Sequence, residues 1–222
     1  MIYSIFKKKL ILLIVFILSL CVATNQSLGV DDAEKDISNF SFNISINKED
    51  SNSISIGKED VPISIIIYSS LSCPHCANFH LETYPKIKEK YILTEKAKVT
   101  FRDFPLDLPA LNAAKLLQCI EKKKKLDLLD EIYKRQDEWT AGNKIEEINK
   151  NLINILSEFK MNEDQVNKCL KDDGVEEAVL NSRIIGHKKY IINSTPTIII
   201  NEKKIEGPSS FKDIDEILQN II

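Results

Sequence analysis

Cys73-Pro74-His75-Cys76 follows directly on a strand-like apolar run, Pro62 to Tyr68, and opens a helical stretch predicted from His75 towards Tyr91. Two cysteines so spaced at the start of a helix suit thiol–disulfide exchange. The unpaired N–H groups and partial positive charge of a helix N-terminus stabilise a thiolate on Cys73, and Cys76, one turn further in, can close on it. The same spacing is half of a zinc site, which would call for a second C-x-x-C or a C…H pair at ligand spacing. None is present, and no metal is assigned. His80 lies four residues after Cys76 on the same helix face and could ligate a metal with it, yet tetrahedral zinc would need Cys73 and a fourth ligand as well. A purely structural Cys73–Cys76 bond would have little use for a helix N-terminus.

The elements that must hold this motif can be read around it. Ile63 to Tyr68 is β-branched and nearly continuous, as in a strand covered on both faces. Pro85 is expected to kink or break the helix that follows the cysteines. Lys98 to Phe104 reads as a second strand, with Val99 and Phe101 on one face. A long helical block then runs from Leu108 to Tyr190, starting at Asp107 as N-cap with Pro109 in the first turn. Within it, helices are predicted over Leu126 to Trp139, Ile145 to Phe159, Glu163 to Leu170 with Asn162 as cap, and Val175 to Tyr190. Thr197 to Asn201 is again a strand, Glu202-Lys203 a turn and Lys204-Ile205 a short hairpin partner. Phe211 to Ile222 closes the chain as a helix with Ile214, Ile217, Leu218 and Ile221 inward. Lys122 to Lys125 reads as a solvated helix face. His187 and Trp139 show no partners in the sequence.

Before this globular part, the chain opens with Lys7-Lys8-Lys9 and an unbroken apolar run from Leu10 to Leu18, continued by Leu20, Cys21, Val22 and Ala23. That is the pattern of an export signal over residues 1–23, with small residues suited to cleavage after Ala23 or as late as Gly29. The run is short for a membrane span, and an uncleaved anchor is the alternative. Leu20 before Cys21 argues against lipidation, which wants a small residue there. Residues 24–60 form a polar linker poor in apolar groups. Within it, Asn43-Ile-Ser-Ile-Asn-Lys-Glu-Asp50 recurs as Ser53-Ile-Ser-Ile-Gly-Lys-Glu-Asp60, and Ile54 and Ile56 of the second copy suit a short strand at the domain's start.

The 222 residues hold 30 basic and 33 acidic side chains; loss of the signal removes three lysines and no acid, so the exported protein is mildly acidic and a poor candidate for nucleic-acid binding. Of five cysteines, Cys73, Cys76, Cys119 and Cys169 would remain, an even set in a chain bound for an oxidising compartment. Cys119 and Cys169 sit on two different predicted helices without C-x-x-C spacing. A structural disulfide between them is the natural reading, worth roughly 4 kcal/mol on the chain-entropy account. Two buried free thiols, or a bridge that tunes the active site, are the alternatives.

Three segments together carry a family likeness. The stretch Ile66-Ile-Tyr-Ser-Ser-Leu-Ser-Cys73-Pro-His-Cys76-Ala-Asn-Phe-His80, the stretch Phe101-Arg-Asp-Phe-Pro-Leu-Asp107, and Ser194-Thr195-Pro196-Thr197 resemble the DsbA family of exported dithiol oxidases, above all its alphaproteobacterial members. The likeness covers the chain from about Gly57 to the C-terminus. Its Lys, Ile and Asn richness suits an AT-rich genome such as that of a rickettsia.

The resemblance implies an α/β thioredoxin fold, residues 57–106 and 191–222, with an inserted helical domain, residues 107–190, between the strand near 98–104 and the strand near 197–201. It implies Cys73 as nucleophile, Cys76 as resolving thiol, Pro74 and His75 as residues that tune the couple, and a cis Thr195–Pro196 bond facing the dithiol. There Thr195 would pair with an extended substrate through its backbone, and its hydroxyl could touch the sulfur. One departure stands out: where family members commonly carry a buried glutamate six residues before the first active-site cysteine, this chain has Ile67, and no other acid lies on that strand.

The activity so implied is a periplasmic thiol:disulfide oxidoreductase, without cofactor, that donates its Cys73–Cys76 disulfide to newly exported, cysteine-containing proteins and is reoxidised by a DsbB-type membrane partner. A disulfide isomerase or reductase is the second reading, though isomerases usually dimerise and the polar segment looks too thin for a dimerisation domain; a monomer is expected. A non-catalytic chaperone on the same fold is the third, and the intact dithiol argues against it.

Overall fold

The computed structural model describes residues 53–206 and 210–222. The expected signal segment, most of the polar linker and the first copy of its repeat lie outside the described residues. The second copy contributes Ile54–Ile56 as β1, whose two isoleucines are buried.

The remaining strands are β2 (Ile63–Ser69), β3 (Ala97–Asp103), β4 (Thr197–Ile200) and β5 (Lys203–Ile205). They form one sheet in the order β1-β3-β2-β4-β5, in which only β2 and β3 are parallel. The central strand β2 explains its own composition. Ile63, Ile65 and Ile67 enter the larger core, whereas Ile66 and Tyr68 enter a smaller one with Phe104, Tyr190, Ile192 and Ile199. Both faces are covered, so the strand reads as a continuous apolar run.

A helical run leaves β2 directly: α1 (Pro74–Asn78), a π-helical turn (Phe79–Thr83), α2 (Tyr84–Ile87) and a second π-helical turn (Lys88–Ile92). Pro85 does not break it. The Tyr84 N–H bonds five residues back, to the Phe79 carbonyl, and this widened turn accommodates the proline that follows.

Between β3 and β4 the chain is helical: α3 (Leu108–Cys119), a 3-10 turn (Lys122–Lys124), α4 (Lys125–Lys134), α5 (Gln136–Trp139), α6 (Ile145–Glu158), α7 (Glu163–Leu170) and α8 (Asp173–Tyr190). Asp107 caps α3 through the Ala110 N–H at 2.8 Å, and Asn162 with Gln165 forms a reciprocal capping box on α7. The fold is therefore an α/β thioredoxin-like sheet with a helical insertion.

Several expectations need correction. The helix expected over Leu126 to Trp139 is two helices, because Arg135 leaves helical geometry at φ −107°, ψ 24°. Lys125 is not on a solvated face: it is 5% exposed and donates to Gln118 Oε1 at 2.7 Å, since the chain turns after α3 and brings the first residue of α4 back against it. The hairpin turn lies one residue earlier than expected. Asn201 and Glu202 both have positive φ (46° and 67°), which suits a two-residue turn matched to the strand twist. The closing helix, α9, is Phe211–Gln219; Ile214 and Leu218 are fully buried, but Ile221 lies beyond its end and is exposed. Trp139 and His187 do find partners, the Ile132 carbonyl at 2.8 Å and the Ile192 carbonyl at 2.9 Å.

Candidate active site

Cys73 occupies the N-cap of α1 with extended backbone (φ −80°, ψ 119°), and its carbonyl accepts from the Cys76 and Ala77 N–H groups at 3.0 and 3.1 Å. Pro74 fits the first turn, where a missing N–H costs nothing. The two sulfurs meet different environments. Cys73 is partly open and Cys76 is buried, 1% exposed.

This difference sets their acidities. The Cys76 thiol donates towards Cys73 and, against the opposing effect of burial, draws the Cys73 pKa down from 9.0 to about 5. The Thr195 side chain and the backbone N–H groups of Cys76 and His75 add to the effect. Cys76 moves the other way, because a hydrogen bond given to the Cys73 thiolate and burial both keep it protonated. What exposed His75 supplies to Cys73 is thus its backbone N–H.

The Thr195–Pro196 bond is cis and lies against the dithiol, just ahead of β4, the neighbour of β2. As a thiol, Cys73 donates to the Thr195 carbonyl at 3.5 Å. The Thr195 hydroxyl is buried without a partner of ordinary geometry, yet it lies close enough to favour the thiolates of both cysteines. A cavity of about 290 Å³ opens beside this contact, lined by His75, Phe79, Asn193, Thr195, Pro196 and Lys204 among others. Its size suits a short extended peptide segment. The structure thus brings Cys73, Cys76, His75, Thr195 and Pro196 to one place.

Cys119 and Cys169 are elsewhere. They are bonded to each other, joining α3 to α7 with Cα atoms 6.2 Å apart. His80 does not face Cys76 across a metal site. Its Nε2 pairs with Asp130 at 2.6 Å and its ring packs between Tyr84 and Tyr133, while no cluster of metal-binding side chains occurs among the described residues.

One supporting residue escaped the sequence reading. Gln136, 5% exposed, donates its amide to the Leu71 carbonyl at 2.6 Å and the Cys73 carbonyl at 3.1 Å, pinning the loop that presents the nucleophile. Its one local signal is a neutral amide in the charged run Lys134 to Glu138, which alone points to no site.

Comparison with known proteins agrees with this geometry. A family model described as Thioredoxin matches residues 49–220. A Rickettsia bellii protein provisionally named protein-disulfide oxidoreductase is 32% identical over 164 residues, 73% of this chain and 62% of that one. The chain thus matches less than two thirds of the length of that relative. Disulfide bond formation protein D of Bacillus subtilis is 25% identical over 75% of this chain and 74% of its own. Among solved structures, alpha-DsbA1 of Wolbachia pipientis superposes with a TM-score of 0.68 at 29% identity, covering 77% of this chain and 90% of that one.

Proposed function

This chain belongs to the thioredoxin family, in its DsbA-like branch, and from that premise we propose that it is an exported oxidase that passes its Cys73–Cys76 disulfide to cysteine-containing proteins. The observation that carries the proposal is the asymmetry of the two sulfurs: an accessible thiolate former beside a cis-proline loop, and a buried thiol that stays protonated.

The chemistry follows from that asymmetry. A substrate thiolate attacks Cys73 Sγ of the oxidised protein; the new S–S bond forms as the Cys73–Cys76 bond breaks, and its electron pair leaves on Cys76, which takes up a proton. A second substrate thiol, deprotonated, then attacks the substrate sulfur and expels Cys73 as thiolate. A good leaving group is one of low pKa, and Cys73 near 5 is such a group. The extended segment around the substrate cysteine would pair with the Thr195 backbone in the adjoining cavity, with Pro74 and His75 tuning the couple and Cys119–Cys169 serving as a structural bridge. Export is supported by the charged and then apolar opening of the chain, and reoxidation falls to a membrane partner of the DsbB type.

The test is transfer to a reduced, unfolded secretory polypeptide. The oxidised protein should form disulfides in it stoichiometrically, and Cys76→Ala should accumulate mixed disulfides through Cys73, whereas Cys73→Ala should trap few. Absence of transfer, or trapping through Cys76, would overturn the proposal.

A further inference from the structure

Cys76 must lose a proton whenever it attacks a mixed disulfide on Cys73, yet it is buried and its thiol is pushed up. The strand beneath it offers no base. Ile67, fully buried, faces the same core, and its register partner on β3 is Phe101.

Among the described residues the buried carboxylate is Asp103, one pleat beyond Phe101. Asp103, 9% exposed, is the last residue of β3 and pairs in register with Ser69, the last residue of β2, at the end of the sheet from which the active-site loop departs. Its carboxylate accepts from Gln118 Nε2 of α3 at 2.8 Å, and the Gln118 carbonyl is held in turn by buried Lys125 of α4 at 2.7 Å. Tyr133 of α4, 2% exposed, is coupled to both sites: its hydroxyl bonds the Ser69 side chain, and it feels the charges of Cys76, Asp103 and Cys73. Ser69, Asp103 and Tyr133 line a cavity of about 10 Å³, on the order of what a single water occupies.

We propose that Asp103 accepts the Cys76 proton, passed through the Tyr133 hydroxyl and the small cavity beside it, with Gln118 and Lys125 as positioning residues. This rests on the dithiol-exchange reading above. Burial and the neighbouring negative charges hold the phenol protonated, so it hands a proton on without becoming a phenolate. The groups that face Asp103 are Arg102, which lines the same cavity, Gln118 from α3, and Lys125 and Tyr133 from α4; Tyr133 in turn feels the cysteines of the active-site helix, and Lys122 adds positive charge beside Lys125. The step balances. Cys76 sulfur bonds Cys73 sulfur, the bond from Cys73 to its partner breaks with the electron pair leaving on the partner's thiolate, and the Cys76 proton goes to Asp103 and then to solvent.

The reduced protein mixed with oxidised glutathione separates the two chemical steps, which acid quenching and mass spectrometry resolve from pH 5 to 9. Formation of the Cys73–glutathione disulfide is step one, and its resolution by Cys76 is step two. In Asp103→Asn, step two should slow about ten-fold or more near pH 6 to 7 and recover as pH rises, step one should be unchanged, and Asp103→Glu should restore most of the rate. Tyr133→Phe, which keeps the ring, should slow step two about three-fold or more with step one unchanged, and it carries the test should Asp103→Asn not fold. Step two within two-fold of wild type at every pH, or both steps slowed alike, overturns the proton route and leaves the exchange reading intact; a wild-type protein that completes neither step removes both.

Discussion

Replacing Cys73 by Ser should flatten the pH dependence of stability of the reduced protein between pH 5 and 8. The folded Cys73 value of about 5 lies below the ordinary 9.0, so its thiolate stabilises the fold fully above pH 9. The contribution falls with pH and is gone below about 5. At pH 7 the folded thiol has ionised and the unfolded one has not, and two pH units above the folded value correspond to about 2.7 kcal/mol. Cys73 is partly open to solvent, and screening cuts this to roughly 1–1.5 kcal/mol. Urea unfolding of the reduced wild type and of Cys73→Ser, compared from pH 5 to 7, isolates the contribution, because buried Cys76 stays protonated in both over that range and the groups away from the site and the Cys119–Cys169 bridge respond alike. The wild type should gain about 1 kcal/mol or more over the variant on going from pH 5 to 7. A difference that stays constant, or narrows as pH rises, would show that Cys73 is not a stabilised thiolate.

Gln136→Ala should cost about 1–3 kcal/mol and broaden the alkylation kinetics of Cys73, since the Leu71 and Cys73 carbonyls lose their shared donor; denaturation together with iodoacetamide labelling reads both. Gly186→Ala should destabilise by roughly 1–3 kcal/mol in chemical unfolding, because the added Cβ would sit 2.7 Å from Tyr68 Cε1 in the smaller core. The double variant Cys119→Ala/Cys169→Ala should lose up to about 4 kcal/mol on the chain-entropy account, for a sequence separation of 50, while retaining disulfide transfer; mass mapping of the wild type should find no free thiol at either position.

How far the sequence reached depended on how local the information was. Apolar runs and capping residues made β2, β3, α3 and α7 legible, because Ile63 to Ser69, Asp107 and Asn162 act on their own neighbourhoods. The break at Arg135 and the passage through Pro85 were not legible, since each is decided by packing rather than propensity. The dithiol and Thr195–Pro196 could be named from a motif, 122 residues apart at Cys73 and Thr195, but only the fold brings them within 3.5 Å. Buried polar groups were the least readable. Lys125 looked like part of a solvated run of lysines and Gln136 drew no notice, because a polar side chain's burial is set by distant partners such as Gln118 and the Leu71 carbonyl. Trp139 and His187 are satisfied by backbone carbonyls, which have no signature in a sequence.

The direction of exchange is the central claim, and a melting experiment reaches it most directly. If the folded protein favours the Cys73 thiolate, a thermodynamic cycle requires the active-site disulfide to destabilise the fold by the same free energy, with 30 mV of potential for each 1.4 kcal/mol. Selective reduction of Cys73–Cys76, with Cys119–Cys169 kept oxidised, is therefore expected to raise the melting temperature by roughly 2–6 °C, from about 1–1.5 kcal/mol in a domain of this size. A melting temperature that falls on reduction would contradict the oxidase assignment and favour a protein that works as a reductase.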